Sequence, residues 1–141
     1  MIFTRVNQYK LEKDVSKFEC PFCNPEISRI VMANDYAFAI YDSLPVNPGH
    51  TLIIPRRHIA SLFEGTKEER DALFDLMTEM RQLVLDERKP DGFNIGINDG
   101  AAAGQTINHL HIHLIPRYTS DQPDPRGGVR WIFPDKAVYW E

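Results

Sequence analysis

No apolar run in this 141-residue chain approaches the roughly 20 residues a helix needs to cross a bilayer. The sequence therefore gives no reason to expect a membrane among its partners. Positive charge is not in excess either, with 16 Lys and Arg against 20 Asp and Glu and a net charge of −4. That balance argues against a protein that grips nucleic acid by broad electrostatics. An anionic ligand must instead be held by a local pocket of His, Arg and backbone N–H groups. Cysteine is scarce, at Cys20 and Cys23 alone. The first twenty residues carry Arg5, Lys10, Lys13 and Lys17 without the apolar stretch of a secretory signal. The expectation is a cytoplasmic protein whose thiols are reduced rather than joined in a structural disulfide. Internal repeats, low-complexity tracts and linkers are missing too. With 43% hydrophobic and 26% charged residues, the composition is that of one globular domain over residues 1–141.

The pattern that is present reads as α+β. Residues 30–33 and 36–41 are apolar and aromatic runs separated by Asn34-Asp35, as in a β-hairpin. Pro45, Pro48 and Gly49 punctuate a loop, and residues 50–54 resume a strand that Pro55 should stop. Thr66 and Glu69 form a capping box, and Leu73, Leu76, Met77, Met80, Leu83 and Val84 recur at helical spacing. These predict one long helix, ended by Lys89, Pro90 and Gly92. Residues 93–97 predict a further strand. Hairpins and short connections favour an antiparallel sheet of about five strands with the long helix packed on one face. The remainder, residues 119–141, reads as a tail. Its segments 129–133 and 138–140 are apolar enough to dock, and both tryptophans of the chain, Trp131 and Trp140, fall in it. Such a tail suggests a partner surface, for instance for a second copy of the chain.

Chemistry concentrates at His109, His111 and His113, three of the five histidines, which alternate with Leu110 and Ile112. In an extended strand this period-2 pattern puts every imidazole on one face, about 6.6 Å apart. A buried structural histidine is normally solitary, because each ring nitrogen needs a partner. Just upstream, Gly104-Gln105-Thr106 supplies a close-approach glycine with amide and hydroxyl groups, and successive N–H groups in such a turn cradle anions. A neutral imidazole facing a phosphate is a competent nucleophile if its other nitrogen is held. Alternating histidines on a strand also serve as ligands of a catalytic metal, so a zinc-dependent hydrolase stays open.

The run His109-Leu110-His111-Ile112-His113-Leu114-Ile115 resembles the signature of the histidine triad (HIT) superfamily, and the chain is similar to its bacterial-type members. Pro48-Gly49-His50-Thr51-Leu52-Ile53-Ile54-Pro55-Arg56-Arg57-His58 resembles the second hallmark segment of that superfamily. The resemblance covers roughly residues 18–118. It implies a nucleotide hydrolase that acts at the α-phosphate of purine nucleotide derivatives through a covalent nucleotidyl-histidine. His111 would be the nucleophile, with His113 and His50 beside the phosphate. Asn98, Gln105 and Thr106 would contact phosphate oxygens, and Asp42, eight residues before His50, the ribose hydroxyls. Phe22, Ile27 and Tyr41 are candidates to enclose the base, against the plainer reading of ordinary core. Transferase relatives are expected to carry glutamine where this chain has His113, which favours hydrolysis.

Phosphoramidase and dinucleoside polyphosphate hydrolase both remain open as substrate classes. Arg126 or Arg130 could reach the distal phosphates of a longer substrate, against the plainer reading of solvated surface arginines. The resemblance also implies a homodimer, formed through the helix that starts at Thr66 and adjoining strand edges.

Cys20-Pro21-Phe22-Cys23 is half a zinc site, and His58 and His109 are available as further ligands, an arrangement that several family members resemble. A redox motif and two inert buried thiols are the alternatives. The zinc would be structural, and no organic cofactor is expected. Outside the enzymes, a nucleotide-binding regulatory module with incidental turnover fits the same residues.

Overall fold

The computed structural model describes residues 20–141. The basic residues Arg5, Lys10, Lys13 and Lys17, and the first two positions of the expected 18–118 core, lie outside the described residues. Five strands form one sheet: β1 (Ile30–Ala33), β2 (Ala37–Tyr41), β3 (Thr51–Pro55), β4 (Gly92–Gly96) and β5 (Ile112–Arg117). Their order is β1-β2-β3-β5-β4, with every neighbouring pair antiparallel. The long helix α1 (Lys67–Arg88) lies between β3 and β4 in sequence and packs on one face of the sheet. This is the α+β architecture that the sequence pattern predicts.

The local reasons are visible in the side chains. Thr66 accepts the Glu69 N–H and Glu69 accepts the Thr66 N–H, closing the capping box at the start of α1. Glu69 is nevertheless buried, and its charge is met by Arg57 at 2.7 and 2.9 Å, which holds its carboxyl below the usual carboxylate range. Leu73, Leu76, Met77, Met80 and Val84 form the buried stripe of α1 and meet Ala37, Ala39, Ile53, Leu110, Ile112 and Leu114. Small alanines at alternate positions of β2 let the helix approach closely. Phe38 and Ile40 point the other way and, with Phe22, Leu52 and Ile54, build a second apolar layer on the far face. β2 is therefore covered on both faces, which is why it reads as a continuous apolar run.

Some boundaries differ from the sequence expectation. Pro55 ends β3 inside the ladder, opposite Ala37, instead of stopping the strand before it. β4 starts one residue early, at Gly92. The regular ladder of β5 begins only at Ile112, so His113 alone of the three alternating histidines lies in it. The alternation survives upstream all the same. Leu110, Ile112 and Leu114 are buried against α1, while the histidines take the opposite face. Gly49 sits at φ +89°, where a Cβ would come within 2.8 Å of Arg88 Cδ, so the turn before β3 needs glycine.

The tail docks less than its composition promises. Val129, Ile132, Phe133, Val138 and Tyr139 are exposed, and Ala137 is buried. The tail holds itself together instead: Arg126 stacks on Trp140, Arg130 stacks on Tyr139, and the Trp131 indole donates to the Arg126 carbonyl. Among the described residues no helix is long and apolar enough to cross a membrane.

Candidate active site

The histidine face carries two clusters. In the first, Cys20, Cys23, His58 and His109 bring one donor atom each to within 4.8 Å of one another. Cys23 Sγ lies 2.9 Å from His58 Nδ1 and 3.5 Å from His109 Nδ1, and Cys20 Sγ lies 3.4 Å from His109 Nδ1. The two Nδ1 atoms are 3.2 Å apart. A tetrahedral zinc with bonds of about 2.1 Å to nitrogen and 2.3 Å to sulfur has ligand–ligand edges of about 3.3 to 3.8 Å. These spacings are close to that range, so the four residues can hold a metal. His109 Nε2 donates to the Pro55 carbonyl at 2.8 Å, leaving Nδ1 as the lone-pair nitrogen turned to the thiols. The hydrogen bond from Cys23 draws the Cys20 thiol down to about 3, against the opposing effect of burial, which favours the thiolate a metal binds.

The second cluster is a chain of hydrogen bonds. The Val46 N–H donates to His50 Nδ1 at 3.0 Å, which leaves the proton of that ring on Nε2. Nε2 lies 2.9 Å from His113 Nδ1 and 3.6 Å from Asp42 Oδ2, so His50 donates chiefly to His113. His113 in turn keeps its own proton on Nε2. Burial lowers the pKa of both rings. His113 falls to about 4, helped by the neighbouring His111 and His50, while Asp42 partly offsets the drop at His50. Both are neutral at pH 7. Between the clusters, His111 donates its Nδ1–H to the carbonyl of His109 at 2.8 Å. The lone pair of His111 is therefore on Nε2.

His111 and His113 line a cleft of about 330 Å³. Asn98, Gly104 and Thr106 add polar groups to its lining, and Phe22, Ile40, Leu44 and Leu52 add apolar ones. Asp42 lines it too, with Oδ1 accepting the Leu44 N–H at 3.0 Å. Phe22 packs edge-on against both His109 and His111, with centroids 5.9 and 5.2 Å away. The arrangement offers a lone-pair nitrogen, an N–H donor, a hydroxyl and an apolar slot in one cavity.

Not every residue named from the sequence reaches this cleft. Tyr41 falls on the opposite face by alternation: its hydroxyl reaches toward Glu87 at 3.5 Å and its ring lies against Arg88. Ile27 sits in a short 3-10 turn, 67% exposed, outside the lining. Gln105 uses its amide inside the loop, accepting from Gly100 N–H and donating to the Ala60 and Ile107 carbonyls. It braces the turn that Gly104, at φ +90°, makes possible. The sequence reading missed Ile40, Leu52, Leu44 and Arg29. Ile40 and Leu52 stand two residues from Asp42 and His50, so the same period-2 rule, applied from those anchors, would have found them.

A family model described as "HIT domain" matches residues 25–120. A bis(5′-adenosyl)-triphosphatase of Dictyostelium discoideum is 37% identical over 67% of this chain and 63% of its own length. The crystal structure of a HIT family protein from Bacillus anthracis superposes with a TM-score of 0.67 at 36% identity, covering 71% of this chain and 74% of that one. That of a Zn-bound histidine triad family protein from Mycobacterium smegmatis gives 0.66 at 30% identity, covering 77% and 86%.

Proposed function

This chain belongs to the HIT family, and from that premise we propose that it hydrolyses purine nucleotide derivatives at the α-phosphate through a nucleotide held transiently on His111. The observation that carries this reading is the tautomer of His111. Its Nδ1–H is tied to the His109 carbonyl, so the ring offers an unprotonated Nε2 on the wall of the cleft. That nitrogen attacks phosphorus, a P–N bond forms, and the bond to the departing oxygen or nitrogen breaks with its electron pair. The His113 Nε2–H, oriented through His50 and Val46, hydrogen-bonds the charge that develops beside it. Water then cleaves the phosphorus–histidine bond. Its hydroxyl remains on phosphorus, and the proton it releases balances the one the leaving group takes from solvent.

The nucleoside extends to the other end of the cleft, its base against Phe22, Ile40 and Leu52 and its ribose hydroxyls on Asp42. The names of similar proteins, a bis(5′-adenosyl)-triphosphatase and an AP-4-A phosphorylase, support a nucleotide substrate. The chain spans 53% of the phosphorylase. Zinc at Cys20, Cys23, His58 and His109 would supply a structural tie between the described N-terminal turn and the segment leading into β5. That a family neighbour is Zn-bound supports a metal in this chain, and the donor spacing supports these four residues as its ligands. A catalytic metal shared by His111 and His113 has less support, because His113 spends its Nδ1 lone pair on the His50 N–H and keeps a proton on Nε2.

His111→Ala should cost about 10⁴ in kcat, the scale of losing a nucleophile. Quenched wild-type reactions should show a nucleotidyl adduct on the peptide that carries His111. Activity within about tenfold of wild type in the variant would overturn the assignment.

A further inference from the structure

The cleft follows one row of cross-strand partners. His113 in β5 stands opposite Leu52 in β3, Leu52 opposite Ile40 in β2, and Ile40 opposite Ile30 in β1. With about 4.8 Å between neighbouring strands, the row spans about 14 Å. His111 and His113 lie at its β5 end. At the other end Ile30 packs with Phe22, Ile40 and Leu52, and Arg29, immediately before β1, lines the same cleft. With the α-phosphate at His111 and the base against Phe22, Ile40 and Leu52, the purine edge remote from the ribose is turned toward β1. Arg29 is the side chain that meets it there.

Arg29 differs from arginines elsewhere in the chain. Arg57, Arg117 and Arg126 each sit on a carboxylate, of Glu69, Asp121 and Asp124 in turn. Among the described residues no carboxylate pairs with Arg29. Its Nη2 donates to the Tyr41 carbonyl at 3.1 Å, which ties the guanidinium to the peptide that precedes Asp42. The residue is exposed, so the rest of its fork is open at the mouth of the cleft. It is also the one Lys or Arg in that lining. An anion at this end would face Asp42 as well as Arg29, and the like charges would repel. A neutral group that carries acceptors gains the hydrogen bonds without that penalty. The guanidinium offers donors alone, in a planar fork. Guanine and hypoxanthine present O6 and N7 as adjacent acceptors, whereas adenine sets an N6 donor beside N7.

We propose that Arg29 is a base-specificity determinant: its guanidinium reads the O6 and N7 acceptors of a 6-keto purine, so the cleft takes guanosine and inosine nucleotides in preference to adenosine ones. The Tyr41 carbonyl holds one arm of the fork from the peptide next to Asp42, so base reading and ribose binding are aligned by the same turn of chain. This assignment deepens the reading that a purine nucleotide occupies the cleft, and rests on it.

Calorimetric titrations of the full chain with the 5′-monophosphates of guanosine, inosine, adenosine and 2-aminopurine riboside test it. Inosine keeps O6 and lacks the 2-amino group, and 2-aminopurine is the reverse. Wild type should bind the guanosine and inosine nucleotides about tenfold more tightly than the other two, the lower end of what a bidentate pair on a purine edge discriminates. Arg29→Ala should bind all four within about threefold of one another, by losing affinity for the guanosine and inosine nucleotides. Arg29→Gln should move the preference toward adenosine, because a side-chain amide pairs with N6 and N7 of adenine. Affinities that follow the 2-amino group, a guanosine preference that Arg29→Ala retains, or an equal loss for all four nucleotides would overturn the assignment. Equal binding of all four by wild type, beside turnover that depends on His111, would remove Arg29 alone. Binding of none would remove the nucleotide reading, and Arg29 with it.

Discussion

Among the described residues, two groups of side chains place donors close enough to share an ion, Cys20-Cys23-His58-His109 and Asp42-His50-His113. They are built for different tasks, and protons are what separate them. In the first group His109 turns its N–H outward to Pro55 and leaves lone pairs and a thiolate facing one another. In the second, the short contact between His50 and His113 is filled by a proton, and His113 Nε2–H is the free end of the chain. The first is closed by its own four donors, whereas the second opens into the cleft. His109 and His111, two residues apart, show the same rule at its sharpest. A backbone carbonyl selects opposite tautomers for them, so one ring offers Nδ1 to a metal and the other keeps Nε2 as its lone-pair nitrogen.

The largest effect that would break this comparison is on metal and folding. Protein purified without chelator should carry about one zinc per chain, and Cys23→Ala should carry less than about a tenth. That variant should also melt about 10 °C or more below wild type, since metal binding contributes directly to folding. His113→Gln should keep its zinc in full. Metal lost equally from both variants would mean that the two clusters are not separate. His113→Gln should instead lower kcat about 10²-fold, the scale of removing one aligned donor from the transition state. Unchanged turnover would remove His113 from the chemistry.

A smaller effect is expected from pH. The folded pKa values of His50 and His113 lie below the unfolded value of 6.5, with His113 at about 4. The unfolded chain therefore binds more protons than the folded one in this window, so the contribution is fully present above 6.5 and is lost as pH falls through about 4. Urea titrations at pH 7 and pH 4 should show wild type losing about 2 kcal/mol more stability than His113→Gln. Equal losses would show that His113 is not buried against its charged form.

Much of the scaffold was legible because its signals are local. The Thr66–Glu69 capping box, the stripe from Leu73 to Val84 and the Asn34-Asp35 turn each depend on neighbours within one or two turns of chain. Alternation likewise assigned Leu110, Ile112 and Leu114 to the core. What escaped depends on backbone atoms distant in sequence. The carbonyl of Pro55 and the N–H of Val46 have no side-chain signature, yet they set the proton positions on His109 and His50. Aromatic character alone suggests Tyr41 for the wall of the cleft, whereas the pleat of β2 turns it toward α1. An amide in a glycine-rich loop suits a phosphate contact, which is why Gln105 is a candidate by sequence, but its amide is spent within the fold on Gly100 and Ala60.

Asp42 tests where the boundary between binding and proton handling falls. Its Oδ1 accepts the Leu44 N–H, and its Oδ2 lies 3.6 Å from His50 Nε2, so it touches both the loop and the histidine chain. If Asp42 holds ribose, Asp42→Asn should raise the KM of a nucleotide substrate about fivefold, a loss of about 1 kcal/mol, and leave kcat within about twofold. The asparagine keeps an oxygen for Leu44, so the loop is preserved. A 2′-deoxy substrate should lose a similar factor with wild type and little more with the variant, because both changes remove the same hydrogen bond. If kcat falls instead and the deoxy substrate is penalised equally by both proteins, Asp42 works through His50. The second cluster would then be a three-member proton network rather than a histidine pair beside a binding carboxylate.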